Sequence, residues 1–193
     1  MHVVTHLLVG WTVAEHTVKT RRDRALVAWA SVVADLDGVG LIVDWIGGAF
    51  GLSWGFYEQF HRMALHGLPG AMLCTALFAW LADDKRATAL WVFVSYHLHL
   101  LGDVLGSRGS GPADFWPLHY LMPVSNAWTI HWSGQWPLTS WQNTTLTIVL
   151  MAYAMALAAQ RGRSPVGLFS GRADERFVAI LHARWESIRG RSK

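Results

Sequence analysis

The chain has 193 residues, of which 52% are hydrophobic and only 15% charged, with a formal net charge of +3, twelve Trp, ten His and one Cys. An average soluble domain carries roughly 25% charged residues, so the balance points to a membrane, and the length suits one domain or a small bundle of membrane helices. Cys74 is alone, which excludes an intrachain disulfide and a Cys-rich zinc site; a metal here has to be held by His and carboxylate.

Apolar stretches occupy about 3–18, 25–51, 68–82, 87–106 and 144–160. Most are helix-length and none alternates like a strand, so the predicted class is all-α. The first, MHVVTHLLVGWTVAEH, has neither a basic n-region nor a small-residue cleavage site and is expected to stay attached. It contains His6, either a satisfied core histidine or a ligand; His2 and His16 lie nearer its ends.

The second stretch is interrupted by VVADLDGVG, where Asp35 and Asp37 are followed by Gly38 and Gly40. Carboxylates this close resist burial unless a cation neutralises them; the alternative is a helix-end turn with exposed Asp. HRMALHGL follows, with His61 and His66 five apart, so joint ligation requires a turn, which Pro69 and the nearby Gly residues favour. The alternative is an interfacial His pair. Arg62 suits an anionic oxygen, and Glu58, three residues before His61, can share its helical face.

In HLHLLGD, His99 and Asp103 are four apart and project from one helical face. That spacing suits two ligands to one metal, or a buried His–Asp pair; His97 points elsewhere. The connection 107–143 carries Trp116, Trp128, Trp132, Trp136 and Trp141 and reads as an interfacial or lid-like segment, with His119 and His131 in it. After residue 163 the basic tail sets Phe177, Val178, Leu181, Trp185 and Ile188 at helical spacing, an amphipathic helix suited to an anionic leaflet or to its own bundle, with His182 at its surface. The expected division is therefore a helical domain over 1–163 and a tail over 164–193. No nucleic-acid motif is present, and no nucleic-acid partner is expected.

Charge supports membrane spans. If the five stretches cross, connections 19–24, 83–86 and 161–193 hold 14 of the 16 Lys and Arg, and the opposite set holds only Arg62 and Arg108. The positive-inside rule then places the C-terminus in the cytoplasm. The same topology gathers His6, His61, His66, His99 and Asp103 toward the outer side, with Asp35 and Asp37 deeper. Ionisable groups within membrane segments usually face the bundle interior and mark function. A shared metal accounts for all seven at once.

THLLVG, Asp-x-Asp after an apolar run, HRMALHGL and HLHLLGD, in this order over roughly residues 1–120, resemble the bacterial membrane-bound metal-dependent hydrolase family, the YdjM-like group. Its members typically show T-H, P-D-x-D-H, H-R-G-x-T-H-S and H-x-x-x-D. The resemblance implies that His6, Asp35, Asp37, His61, His66, His99 and Asp103 are the metal-site positions. Here Ala34 and Gly38 replace the Pro and His of the second motif, and Met63, Leu65 and Gly67 replace the Gly, Thr and Ser of the third. There is also a more distant likeness to the helical zinc phospholipase C arrangement.

The expectation is thus an all-α, multi-pass bundle in the bacterial inner membrane with a buried His/Asp metal site. One or two divalent ions are expected, zinc first, then manganese or iron. The expected activity is metal-dependent hydrolysis of an ester or phosphodiester in a small-molecule or lipid substrate. Asp37 or Glu58 is the candidate proton acceptor and Arg62 the candidate anion stabiliser. The alternative from another class is a membrane protein that binds or passes a metal ion or protons through the same groups. Oligomeric state is not legible.

Overall fold

The computed structural model describes residues 1–57, 61, 63 and 65–190. The chain is mostly helical. Helices α1 (Val3–Thr17) and α2 (Arg21–Val33) are followed by a 3-10 turn (Ala34–Val39) and α3 (Gly40–Ala49), then α4 (Leu68–Leu81) and α5 (Lys85–Gly106). The Trp-rich connection contains two antiparallel two-residue strands, β1 (Leu118–His119) and β2 (Thr129–Ile130). Helix α6 (Trp141–Arg161), a second 3-10 turn (Pro165–Leu168) and α7 (Gly171–Gly190) complete the chain. The apolar stretches read from the sequence all appear as helices, and the amphipathic tail forms α7.

The helix starts follow local chemistry. Thr20 Oγ1 accepts from the Asp23 N–H at 3.1 Å, and Asp84 Oδ1 from the Ala87 N–H at 3.1 Å, satisfying first-turn donors of α2 and α5. Pro69 sits in the first turn of α4, where its missing N–H costs nothing. The Asp23 carboxylate also accepts from the Asp83 and Asp84 N–H groups at 2.9 and 3.2 Å, tying together the two short basic connections.

Two compact units divide the chain at residues 144 and 145. In the first, α1 packs on α2 and α5, α2 also packs on α5, and α4 packs on α5. Much of what these helices bury is small or polar: Ala14, Ala28, Ala30, Ala34, Ala71, Thr5, Ser31, Thr88 and Ser95 are closed to solvent, beside larger side chains such as Trp11, Val27, Val92 and Tyr96. What they expose is large and apolar. On α4, Met72, Leu73, Leu77 and Trp80 face outward while Gly70, Ala71 and Cys74 face inward. In water this arrangement forfeits the hydrophobic effect; in lipid, where tails solvate Leu as well as a core does, small residues let helices pack closely. Segments Arg21–Ala49, Lys85–Gly106 and Trp141–Arg161 are long and apolar enough to cross a bilayer, and Leu68–Leu81 is a shorter apolar helix. Outward-facing side chains thus support the membrane reading that hydropathy alone leaves open.

Close approach of α1 to α2 depends on Gly10. A Cβ there would meet Ser31 Oγ at 2.3 Å and the Ala28 carbonyl at 2.7 Å. The two helices sit too near for any side chain at this position.

Candidate metal centre

Helices α1 and α5, the first 3-10 turn and the connection before α4 contribute to one buried polar cluster. Asp35 and Asp37 come from the 3-10 turn that breaks the second apolar segment, and this tighter winding aims both carboxylates at the histidines. His61 and His66 come from the connection before α4, and His99 and Asp103 from successive turns of α5. His6 reaches in from α1. All seven described candidates therefore converge, whereas Glu58 and Arg62 lie outside the described residues.

Two groups of donors can be distinguished. Asp35, His66, His99 and Asp103 form one; Asp37, His61 and His66 form the other. In the first, His66 Nε2 and His99 Nε2 are 3.3 Å apart. Asp103 Oδ2 lies 3.2 Å from His99 Nε2 and 3.5 Å from His66 Nε2. Asp35 Oδ1 is 3.8 Å from each imidazole. Zinc–nitrogen and zinc–oxygen bonds of about 2.0–2.2 Å set tetrahedral ligand–ligand edges of about 3.3–3.6 Å, and the five separations, from 3.2 to 3.8 Å, fall within about 0.2 Å of that range.

Hydrogen bonding gives a second test of fit. His99 Nδ1 lies 2.8 Å from the Ser31 carbonyl, which can only accept, so Nδ1 carries the proton and Nε2 of the neutral ring presents its lone pair to the cluster. His66 Nδ1 is likewise turned to a carboxylate, Asp37 Oδ2, at 2.9 Å. Two imidazole lone pairs 3.3 Å apart need a positive charge between them, proton or metal. Among the described residues, the buried Asp103 Oδ2, the oxygen that faces both imidazoles, has no hydrogen bond, as expected of an oxygen oriented toward an ion. Burial opposes charge on His66, yet the carboxylates of Asp103, Asp35 and Asp37 outweigh it and push its pKa up to about 11. The donor set fits a divalent cation.

Surrounding groups hold these donors in place. His6 Nε2 is 3.1 Å from Asp103 Oδ1, and its ring lies 3.9 Å from that of His99. Ser107 Oγ donates to the same Asp103 oxygen at 2.8 Å, and the Met1 amino group also contacts it. A Cβ at Gly102 would come within 3.0 Å of His6, so α5 is open there for the imidazole. In the second group, Asp37 Oδ1 lies 2.9 Å from His61 Nδ1, while Tyr57 and Trp116 stack with the His61 ring at centroid distances of 4.4 and 5.8 Å.

Above the cluster runs the Trp-rich connection. Gln135, buried, pins it: its Oε1 accepts from the Trp116 N–H at 2.7 Å, and its Nε2 donates to the carbonyls of Asp103, Val104 and Trp116 at 2.9, 3.1 and 3.2 Å. A small cavity lined by Val104, Trp116, Pro117 and Leu118 adjoins two of the four donors, His66 and Asp103.

Sequence reading placed Trp116 in a lid-like segment but did not find Ser31, Ser107, Gln135 or Tyr57. Ser31 acts through its carbonyl, which no side-chain pattern reports, and Gln135 is an isolated amide in a loop. The other histidines stand apart: His97 is bonded to the Phe93 carbonyl and Tyr120 hydroxyl, His119 to Thr129 and His182 to the Ala159 carbonyl.

No curated protein and no solved structure matches the chain. The family model described as YdjM inner membrane protein matches residues 1–170, a span that includes every donor of the buried cluster. With apolar helices turned outward and a His/Asp centre within them, the chain belongs to the YdjM inner membrane protein family.

Proposed function

We propose that the protein is a membrane-embedded metal-dependent hydrolase, with Asp35, His66, His99 and Asp103 holding one divalent cation, zinc first among the candidates. The observation that carries this reading is the convergence of Asp35, His66, His99 and Asp103, four donors able to hold one cation inside an apolar helical chain. Val104, Trp116, Pro117 and Leu118 line a small cavity beside His66 and Asp103, and these apolar surroundings favour an ester or phosphodiester carrying an apolar group. A bound divalent cation supplies Lewis acidity, which acidifies water and polarises the oxygen of the scissile bond.

The protein's own groups set the stage for that chemistry. His99 is fixed by the Ser31 carbonyl and Asp103 by His6 and Ser107, so the donors need little rearrangement. His99 and Asp103 lie seven and three residues before the end of α5, or about 10 and 5 Å along its axis. The site is therefore near one end of a spanning segment, within reach of a lipid headgroup. By the distribution of Lys and Arg, that end is the outer one and the C-terminus is cytoplasmic. Glu58 and Arg62 retain the proton-acceptor and anion-stabilising roles anticipated from their positions.

The test is metal analysis of the purified protein by mass spectrometry, together with hydrolysis of generic ester and phosphodiester substrates by wild type and His99→Ala. Bound metal and turnover, both lost in the variant, support the assignment. Metal uptake into vesicles without turnover replaces it with transport.

A further inference from the structure

Asp37 has a different setting from the four donors around the cation position. Its side chain is almost wholly buried, and its two oxygens are divided between two imidazoles: Oδ1 lies 2.9 Å from His61 Nδ1 and Oδ2 lies 2.9 Å from His66 Nδ1. The Leu65 N–H also donates to Oδ2, at 3.4 Å. These are N–H···O lengths, shorter than the 3.2–3.8 Å separations among the nitrogen and oxygen atoms of the four-donor group.

We infer that Asp37 is a positioning residue shared by two histidines, and that the Asp37–His61–His66 group is a hydrogen-bonded clamp and not a second metal site. This rests on the metal reading above. An ionised carboxylate only accepts, so it fixes a proton on Nδ1 of both rings and makes Nε2 the nitrogen that can give its lone pair to a cation. For His66, that is the nitrogen facing His99 Nε2 and Asp103 Oδ2. A carboxylate that accepts from the far nitrogen of a ligating imidazole fixes its orientation and raises its basicity.

A second ion at Asp37 would require His66 to ligate through both nitrogens as an imidazolate. It would also have three donors among the described residues, since Gly38, whose Cβ would stand 3.5 Å from His61 Nδ1, brings no side chain to the spot. From sequence, Asp37 had two candidate roles, metal ligand and proton acceptor; the clamp assigns it neither, and makes it the group that orients His66.

The full-length protein in detergent provides the test, with zinc and cobalt(II) as probes. Wild type is expected to bind one ion per chain. Asp37→Asn, which offers one acceptor and one donor where two acceptors stood, is expected to keep that stoichiometry with metal affinity about 10- to 100-fold weaker and an altered cobalt visible spectrum. Asp37→Glu restores part of the affinity. Two ions per wild-type chain with one lost in Asp37→Asn, complete loss of the ion in a folded Asp37→Asn, or unchanged affinity each overturns the inference. Nitrogen-15 spectra of histidine in metal-free wild type decide the clamp separately. A proton on Nδ1 of both His61 and His66, whether or not Nε2 is also protonated without metal, supports it, and neutral rings protonated on Nε2 alone refute it, whatever metal analysis says of the hydrolase reading.

Discussion

Gly10→Ala tests the connection between helix packing and the metal centre. The added Cβ would stand 2.7 Å from the Ala28 carbonyl oxygen and 2.3 Å from Ser31 Oγ, against the 3.4 Å at which ordinary contact begins. Rotating Ser31 away does not solve the problem, because the Ala28 oxygen is backbone and also receives the Ser31 hydroxyl at 2.7 Å. Helices α1 and α2 must separate by about 0.7 Å at this point, the shortfall against Ala28. Overpacking of this kind costs about 1–3 kcal/mol, which at about 2–4 °C per kcal/mol for a chain of this size lowers Tm by about 2–12 °C. Metal affinity should fall as well, since Ser31 also supplies the carbonyl that orients His99. The control is Gly48→Ala in α3, where a Cβ meets nothing within 4 Å and melting should be unchanged or slightly higher. Thermal unfolding in detergent, followed by circular dichroism, compares the two. If Gly10→Ala melts with Gly48→Ala and wild type, the close approach of α1 and α2 is wrong.

Further outcomes follow from the same geometry. In Asp103→Asn, the oxygens facing His66, His99 and His6 lose their charge; zinc at a hundredfold excess over Kd should stabilise wild type by about 2.7 kcal/mol and leave this variant's Tm unmoved, whereas an equal zinc shift in both removes Asp103 from the site. Gln135→Ala should cost about 1–3 kcal/mol through the buried partners it strands, and limited proteolysis should open the 107–140 connection faster than in wild type; unchanged cleavage there would show that Gln135 does not pin it. Asp23→Ala deprives the Asp83 and Asp84 N–H groups of their acceptor and should cost about 1–3 kcal/mol, with Asp23→Asn recovering part of the loss because one carbonyl oxygen remains. Equal melting of the Ala and Asn variants would assign the effect to something other than those hydrogen bonds.

The helices were legible because apolar run length and charge placement are local properties, and α1, α4, α5 and α6 start or stop within a few residues of the expected bounds. The second apolar run was less transparent. It reads as one segment, but Asp35 and Asp37 lie in a 3-10 turn between α2 and α3, a change in winding that leaves little trace in composition. The sequence also has nothing to say about β1 and β2, whose pairing depends on the path of the Trp-rich connection.

At the centre itself, sequence supplied the chemistry and tertiary structure the division of labour. Burying imidazoles and carboxylates in an apolar chain without compensation is unfavourable, so His6, Asp35, Asp37, His61, His66, His99 and Asp103 stand out from their surroundings before any coordinates are seen. Which nitrogen of His99 is free, that His6 meets the opposite oxygen of Asp103 from His66 and His99, and that Asp37 faces the far side of two rings were decided only by folding. Those facts depend on carbonyls and ring edges brought together across many residues, at distances where a few tenths of an ångström separate a hydrogen bond from a ligand position. Identity and spacing along a chain determine which groups must find partners; the partner each one finds is set by how the helices pack.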